Sequence, residues 1–120
     1  MDQFDDRTPI YLQIADGIRS SILLGELADG DQIMSTTQYA TTYRINPATA
    51  NKAMNLLVEE GLIHKRRGLG MFVSAGAREQ LVATHRSAFF TERLDPVVAD
   101  GDALGVSRTA MAERILGGKK

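Results

Sequence analysis

At 120 residues, with 43% hydrophobic side chains and no long apolar run, the chain has room for one small domain, or one domain and an appendage, and none for a membrane span. Without cysteine it can form neither disulfides nor thiolate metal sites, and its amino terminus (Asp2, Asp5, Asp6) lacks the basic and then apolar pattern of a secretory signal, so a cytoplasmic location is expected. The net charge of −1 is unlike the basic balance of most nucleic-acid-binding domains, but it conceals a polarised distribution: seven acids against two bases over 1–43, then five bases against two acids over 44–67.

Thr8 is expected to cap, and Pro9 to open, a first helix that ends at Gly25, with Ile10, Ile14, Ile18 and Ile22 recurring every fourth residue. Ala28-Asp29-Gly30-Asp31 is a turn cluster, followed by at most a short strand at Gln32-Ile33-Met34. Ser35-Thr36-Thr37-Gln38 reads as a capping box, which starts a second helix from Thr36 to about Tyr43. Only Arg44 and Ile45 separate that helix from the next cap, a turn of the length found inside a helix-turn-helix.

Asn46 is a favourable N-cap, Pro47 suits the first helical position, and Gly61 supplies a left-handed stop, so a third helix should run from Pro47 to about Glu60. Ala50, Ala53, Met54 and Leu57 fall at i, i+3, i+4 and i+7 and turn one stripe to a core. Thr49, Asn51, Lys52 and Asn55 are left on the free face. Their hydroxyl, amide and ammonium groups can donate to phosphates or read base edges in a major groove, where the bland alternative is a solvated polar face. Past the stop, Leu62 and Ile63 lead through His64 to Lys65, Arg66 and Arg67, then to Gly68-Leu69-Gly70 and Met71-Phe72-Val73. This is a two-stranded ribbon with a basic tip, whose glycines allow a tight turn and close approach to another molecule. Three cations beside that turn suit phosphate or minor-groove contact; their plainer role is to blunt an edge strand against aggregation.

After Ser74 the pattern is helical again. Leu81, Val82, His85, Ala88 and Phe89 make one stripe on a helix of about Gly76 to Arg93, Asp95-Pro96 restarts or kinks it, and Gly105 stops it. Ser107 caps a last short helix containing Ala110, Met111, Ile115 and Leu116. These helices carry more apolar residues than they can hide alone, so they are expected to pair across a two-fold axis through Leu81, Val82, His85, Phe89, Val97, Met111 and Ile115. His85 fits a packed interface histidine. No Asp/Glu/His cluster accompanies either histidine, so neither a metal nor a cofactor is expected. Glu59 and Glu60 point in different directions on a helix, and no nucleophile, base or phosphate-loop ordering is present, so the chain does not read as an enzyme.

Pro9-Ile10-Tyr11-Leu12-Gln13-Ile14, Gly25 with Gly30-Asp31, Ser35, Asn46-Pro47-Ala48-Thr49, and Glu60-Gly61-Leu62-Ile63 leading to Arg67-Gly68-Leu69-Gly70-Met71-Phe72-Val73 together resemble the GntR-type bacterial transcription regulators over about residues 9–73. The Asn-Pro cap and the short helical tail are similar to the YtrA subgroup. The resemblance implies a mainly α fold with a small β-hairpin wing: a winged helix-turn-helix over 1–75 that binds double-stranded DNA, and a helical dimerisation segment over 76–120. It adds Ser35, Thr37, Arg44 and Asn46 to the candidate DNA contacts Thr49, Asn51, Lys52, Asn55, Lys65, Arg66, Arg67, Gly68 and Gly70. The chain also departs from the family pattern. Ile33-Met34-Ser35 stands where Leu-Pro-Ser is usual, Thr37 where an arginine is, Asn51 where a basic residue is frequent, and Met71 where Thr is. The function implied is sequence-specific regulation, expected to be repression, by a homodimer joined through its C-terminal helices on an inverted-repeat operator. An unknown small-molecule effector, if one exists, is expected at the tail near His85 and Phe89. The alternative is a winged-helix module for protein contact without specific DNA binding.

Overall fold

The computed structural model describes residues 4–117. The chain divides into two compact units between Val82 and Ala83. In the first, α1 (Ile10–Leu23), α2 (Thr36–Tyr43) and α3 (Pro47–Glu59) pack with an antiparallel sheet of β1 (Gln32–Ile33), β2 (Ile63–Arg66) and β3 (Gly70–Val73). α4 (Ala77–Phe89) begins in this unit and ends in the second, which continues through a π-helical turn (Phe90–Leu94), α5 (Asp95–Leu104) and α6 (Arg108–Gly117). No helix among the described residues is long and apolar enough to cross a membrane.

Local chemistry sets most of the boundaries. The Ser35 hydroxyl accepts from the Gln38 amide at 3.1 Å while the Gln38 side chain accepts from Ser35 N–H at 2.9 Å, completing the capping box. Asn46 Oδ1 accepts from Ala48 N–H at 2.8 Å with Pro47 at the first helical position, and Gly61 adopts φ +79° just past α3. The start of α1 differs from expectation. Pro9 occupies the cap position, no side chain caps the helix, and Thr8 has no capping role. Asp5 instead orders the segment before the helix, accepting from Arg7 and Thr8 N–H at 2.9 and 3.2 Å, while the Gln13 amide donates to the Asp5 and Thr8 carbonyls at 2.9 and 2.7 Å. Pro9 loses nothing there, because its absent N–H would be unpaired and its carbonyl still accepts from Leu12 and Gln13.

The ribbon gains a third strand. β3 pairs with β2 in the register Ile63↔Val73, Lys65↔Met71, Arg66↔Gly70, and with β1 through Gln32↔Phe72 and Ile33↔Met71. The core of the first unit gathers Ile14, Ile18 and Ile22 of α1, Tyr39 of α2, Ala50, Ala53, Met54 and Leu57 of α3, Ile33, Ile63 and Val73 of the sheet, and Ala77 and Leu81 of α4. Leu81, expected at a dimer interface, is only 5% exposed within this core. Leu81 does face a partner, but the partner is the core of its own winged unit, whereas His85 and Phe89 further along the same stripe are exposed. An Arg19 guanidinium fork ties α1 to the end of α3, donating to both Glu60 oxygens at 2.9 and 2.6 Å.

In the second unit, the expected break near Asp95-Pro96 takes the form of the π turn. Asp95 N–H bonds to the Phe90 carbonyl, five residues back, which widens the helix just before a proline that can neither donate nor tolerate a close carbonyl below it. Gly105 then ends α5 at φ +77°, and Ser107 Oγ accepts from Ala110 N–H at 3.0 Å at the start of α6. Gly101 of α5 is buried where α6 crosses it, and a side-chain carbon there would lie 3.1 Å from Met111 Sδ.

Candidate nucleic-acid interface

The turn between α2 and α3 is made by Arg44, a non-glycine residue at φ 54°, ψ 50°. This left-handed conformation costs an L-residue roughly 1 to 2 kcal/mol. It lets the N–H groups of both Arg44 and Ile45 bond the Ala40 carbonyl, so the chain reverses in two residues and delivers Asn46 to cap α3. Arg44 is itself exposed. Of the other residues near the helix starts, Ser35 and Asn46 are partly engaged as caps. The Ser35 proton and the Asn46 Nδ2 group remain as donors, because each cap uses only an oxygen acceptor. Thr37 is exposed.

On α3, Asn51, Lys52 and Asn55 are exposed and Thr49 is half-buried. The structure brings Asn51, Lys52 and Asn55 together along one groove of about 410 Å³, whose other walls are Tyr11, Ala48, Leu56 and Glu59. Lys52 Nζ lies over the Tyr11 ring, 4.2 Å from its centroid. Tyr11 is a member of the site that sequence reasoning missed. It is 41 positions from Lys52, and no periodicity in either helix pairs them.

The wing places Lys65, Arg66 and Arg67 at an exposed tip. Gly68 takes φ +77° in the turn, closed by Leu69 N–H on the Arg66 carbonyl at 2.9 Å. Gly70 takes φ +124°, and a side chain there would meet the Gln32 amide at 2.7 Å; that amide donates to the Leu69 carbonyl at 2.8 Å and holds the tip to β1. Arg66 stacks its guanidinium over the Phe72 ring at 4.5 Å, and His64 stacks on the same ring at 6.2 Å while its Nδ1 pairs with Ser74 Oγ at 3.0 Å. Phe72 thus orients a wing cation. Its role follows from the strand register, since Phe72 stands opposite His64 and diagonal to Arg66, but the register itself could not be read before β3 was placed.

The tail candidates separate. Leu81 belongs to the winged core and Val82 is half-buried, whereas His85, Phe89, Val97 and Ile115 are exposed and Met111 is half-buried. Val97, Met111 and Ile115 line an apolar groove of about 470 Å³ between α5 and α6, rimmed by Arg114. Among the described residues, no group of three or more His, Cys, Asp or Glu side chains is arranged to hold a metal ion.

Three helices, a short strand and a two-stranded wing, with a capped and exposed third helix, define a winged helix-turn-helix. Residues 10–73 match the family described as bacterial regulatory proteins, gntR family. The chain is 34% identical, over 96% of its length and 89% of the relative's, to the HTH-type transcriptional repressor YtrA of Bacillus subtilis. Its fold is similar to that of a transcriptional regulator from Oenococcus oeni, with a TM-score of 0.79 and 24% identity over 96% of this chain and 94% of that one. It is also similar, with a TM-score of 0.55 and 26% identity over 60% of this chain and 87% of the other, to AraR(DBD) solved in complex with its operator ORR3. The chain belongs to the GntR family of bacterial regulatory proteins: it is a transcription regulator, not an enzyme.

Proposed function

We propose that this regulator is a repressor that binds a specific inverted-repeat operator as a homodimer in the cytoplasm. The observation that carries the reading is the α3 face and wing tip. Asn51, Asn55, Lys65, Arg66 and Arg67 are all exposed, and among the described residues none of their side chains makes a hydrogen bond or ion pair, although the Arg66 guanidinium stacks over Phe72. So many unengaged donors gathered on one helix face and one hairpin tip, with three cations adjacent at that tip, suit an acceptor-rich partner, and duplex DNA is that partner. In this reading α3 enters the major groove with Thr49, Asn51, Lys52 and Asn55. Lys65 to Gly70 lie on the flanking backbone or minor groove, and Ser35, Thr37, Arg44 and Asn46 supply phosphate contacts around the turn.

A repressor name on the relative YtrA and an operator complex of AraR(DBD) support the assignment. The DNA-binding domain is residues 1–75, with the first turns of α4 docked on it; dimerisation belongs to the helices beyond, through Val82, His85, Phe89, Val97, Met111 and Ile115. A two-fold pair of winged units would set half-sites about 34 Å apart. A small-molecule effector, where one acts, belongs to the tail. The experiment is an electrophoretic mobility shift of the full chain against genomic fragments at several salt concentrations, paired with sedimentation. A retarded subset of fragments whose affinity falls steeply with salt, and a dimer at micromolar concentration, are expected. Equal retardation of every fragment, or none, sinks sequence-specific binding, and a monomer sinks the dimer.

A further inference from the structure

We infer that each operator half-site presents adenine, and not guanine, to the middle of α3, where Asn51 reads it with Asn55 one turn along. The inference rests on the DNA-binding reading above and extends it to the chemistry of the bases. In the major groove adenine offers an acceptor and a donor side by side, N7 and the N6 amino group, whereas guanine offers two acceptors, N7 and O6. A carboxamide, with one donor edge and one acceptor edge, matches adenine at both. Set against guanine, its oxygen faces a second oxygen or ring nitrogen.

Four features of α3 point the same way. Its residues 47–59 contain no arginine, and Lys52 is their one cation. That lysine's ammonium, the group on the helix able to satisfy guanine's two acceptors, sits over the Tyr11 ring, 4.2 Å from its centroid. Asn51 and Asn55 are exposed, with no hydrogen bond to their side chains among the described residues, so both amides are unengaged. Ala48, three residues before Asn51 on the same groove, is exposed and apolar, the type of side chain that packs on the methyl group of the thymine paired with adenine. Tyr11 is then a positioning residue: it keeps Lys52 on the α1 side and leaves the reading to the amides.

The test is selection of duplexes from a random-sequence pool by the full chain and by Asn51→Ala, Asn51→Arg, Tyr11→Phe and Tyr11→Leu variants. The wild-type pool should converge on half-sites with an adenine that Asn51→Ala no longer selects and that Asn51→Arg replaces with guanine. Asn51→Ala should bind the wild-type duplex about tenfold to a hundredfold more weakly. Tyr11→Leu, selected at a temperature well below its own melting point because Tyr11 also packs on the core, should admit guanine next to that position, and Tyr11→Phe, which keeps the ring face, should select as wild type does. A wild-type pool with guanine at the position that Asn51 controls, or one that Asn51→Ala leaves intact, overturns the inference while leaving DNA binding standing. A pool that converges on nothing overturns both.

Discussion

The winged unit and the tail are both mainly helical, yet they bury their apolar residues to opposite degrees. In the first, Ile14, Ile22, Met54, Leu57, Leu62, Ile63 and Val73 are all less than 2% exposed. In the second, Gly101 is the one buried position among residues 83–117, while Phe89, Phe90 and Ile115 are 51%, 61% and 69% exposed. Three helices around a three-stranded sheet can close a core; two short helices and a π turn present one face to each other and leave the rest in water. The polar contacts differ in the same sense. Arg19 reaches across from α1 to Glu60, 41 residues away, whereas Asp102 of α5 and Arg108 of α6 pair at 2.8 Å in solvent, where the guanidinium holds the carboxyl below its usual range and contributes little to stability. The winged unit closes a core, and the tail leaves most of its apolar side chains in water.

Substitutions of equal chemistry in the two units should break or sharpen this contrast. Leu57→Ala, in the winged core, should cost about 2 to 5 kcal/mol in chemical denaturation, and Ile115→Ala almost nothing when measured on the monomer. Comparable losses would mean that the tail has a core of its own. Phe89→Asp should dissociate the dimer in sedimentation and weaken operator binding roughly a hundredfold, since two linked units bind far more tightly than one, although it changes no residue of the winged unit. A dimer that survives it places the interface elsewhere. Within the winged unit, Arg66→Ala should weaken every duplex alike and reduce the salt slope by about one unit, measured by titration at several ionic strengths. An unchanged slope removes the wing from the backbone contacts.

The smallest effect is a pH dependence confined to the winged unit. Burial, with Tyr43 nearby, pushes the Tyr39 phenol up to about 12 from its usual value near 10. The folded state thus holds this proton more tightly than the unfolded chain. The stabilisation is complete below about pH 10 and is lost as pH rises towards 12. Thermal melting of Tyr39→Phe across that range should lack this component of the alkaline decline that wild type shows.

What could be read before folding follows the range of each interaction. The Ser35–Gln38 box, the Asn46-Pro47 start and the Gly61 stop join residues within three positions, and all appear in the structure where the sequence places them. Thr8 does not cap α1, because Asp5 and Gln13, eight residues apart, bind the same stretch of backbone, and a rule that weighs one candidate cap at a time does not see that competition. Leu81 shows a further kind of failure. Its helical stripe announces burial but not against what, and the answer lies in the packing of α4 on the winged core. Tyr11 with Lys52, Gln32 with the wing tip, and β1 beside β3 are joined by the fold alone, and so are absent from any local pattern.

The left-handed Arg44 sets two demands against each other at a single position of the turn. Glycine adopts φ 54° without strain, and every arginine codon is a single base substitution from a glycine codon. The shortest mutational step at this position therefore relaxes the turn and also removes a cation from the entrance to α3. Drift towards a more relaxed turn would thus trade away a positive charge beside α3.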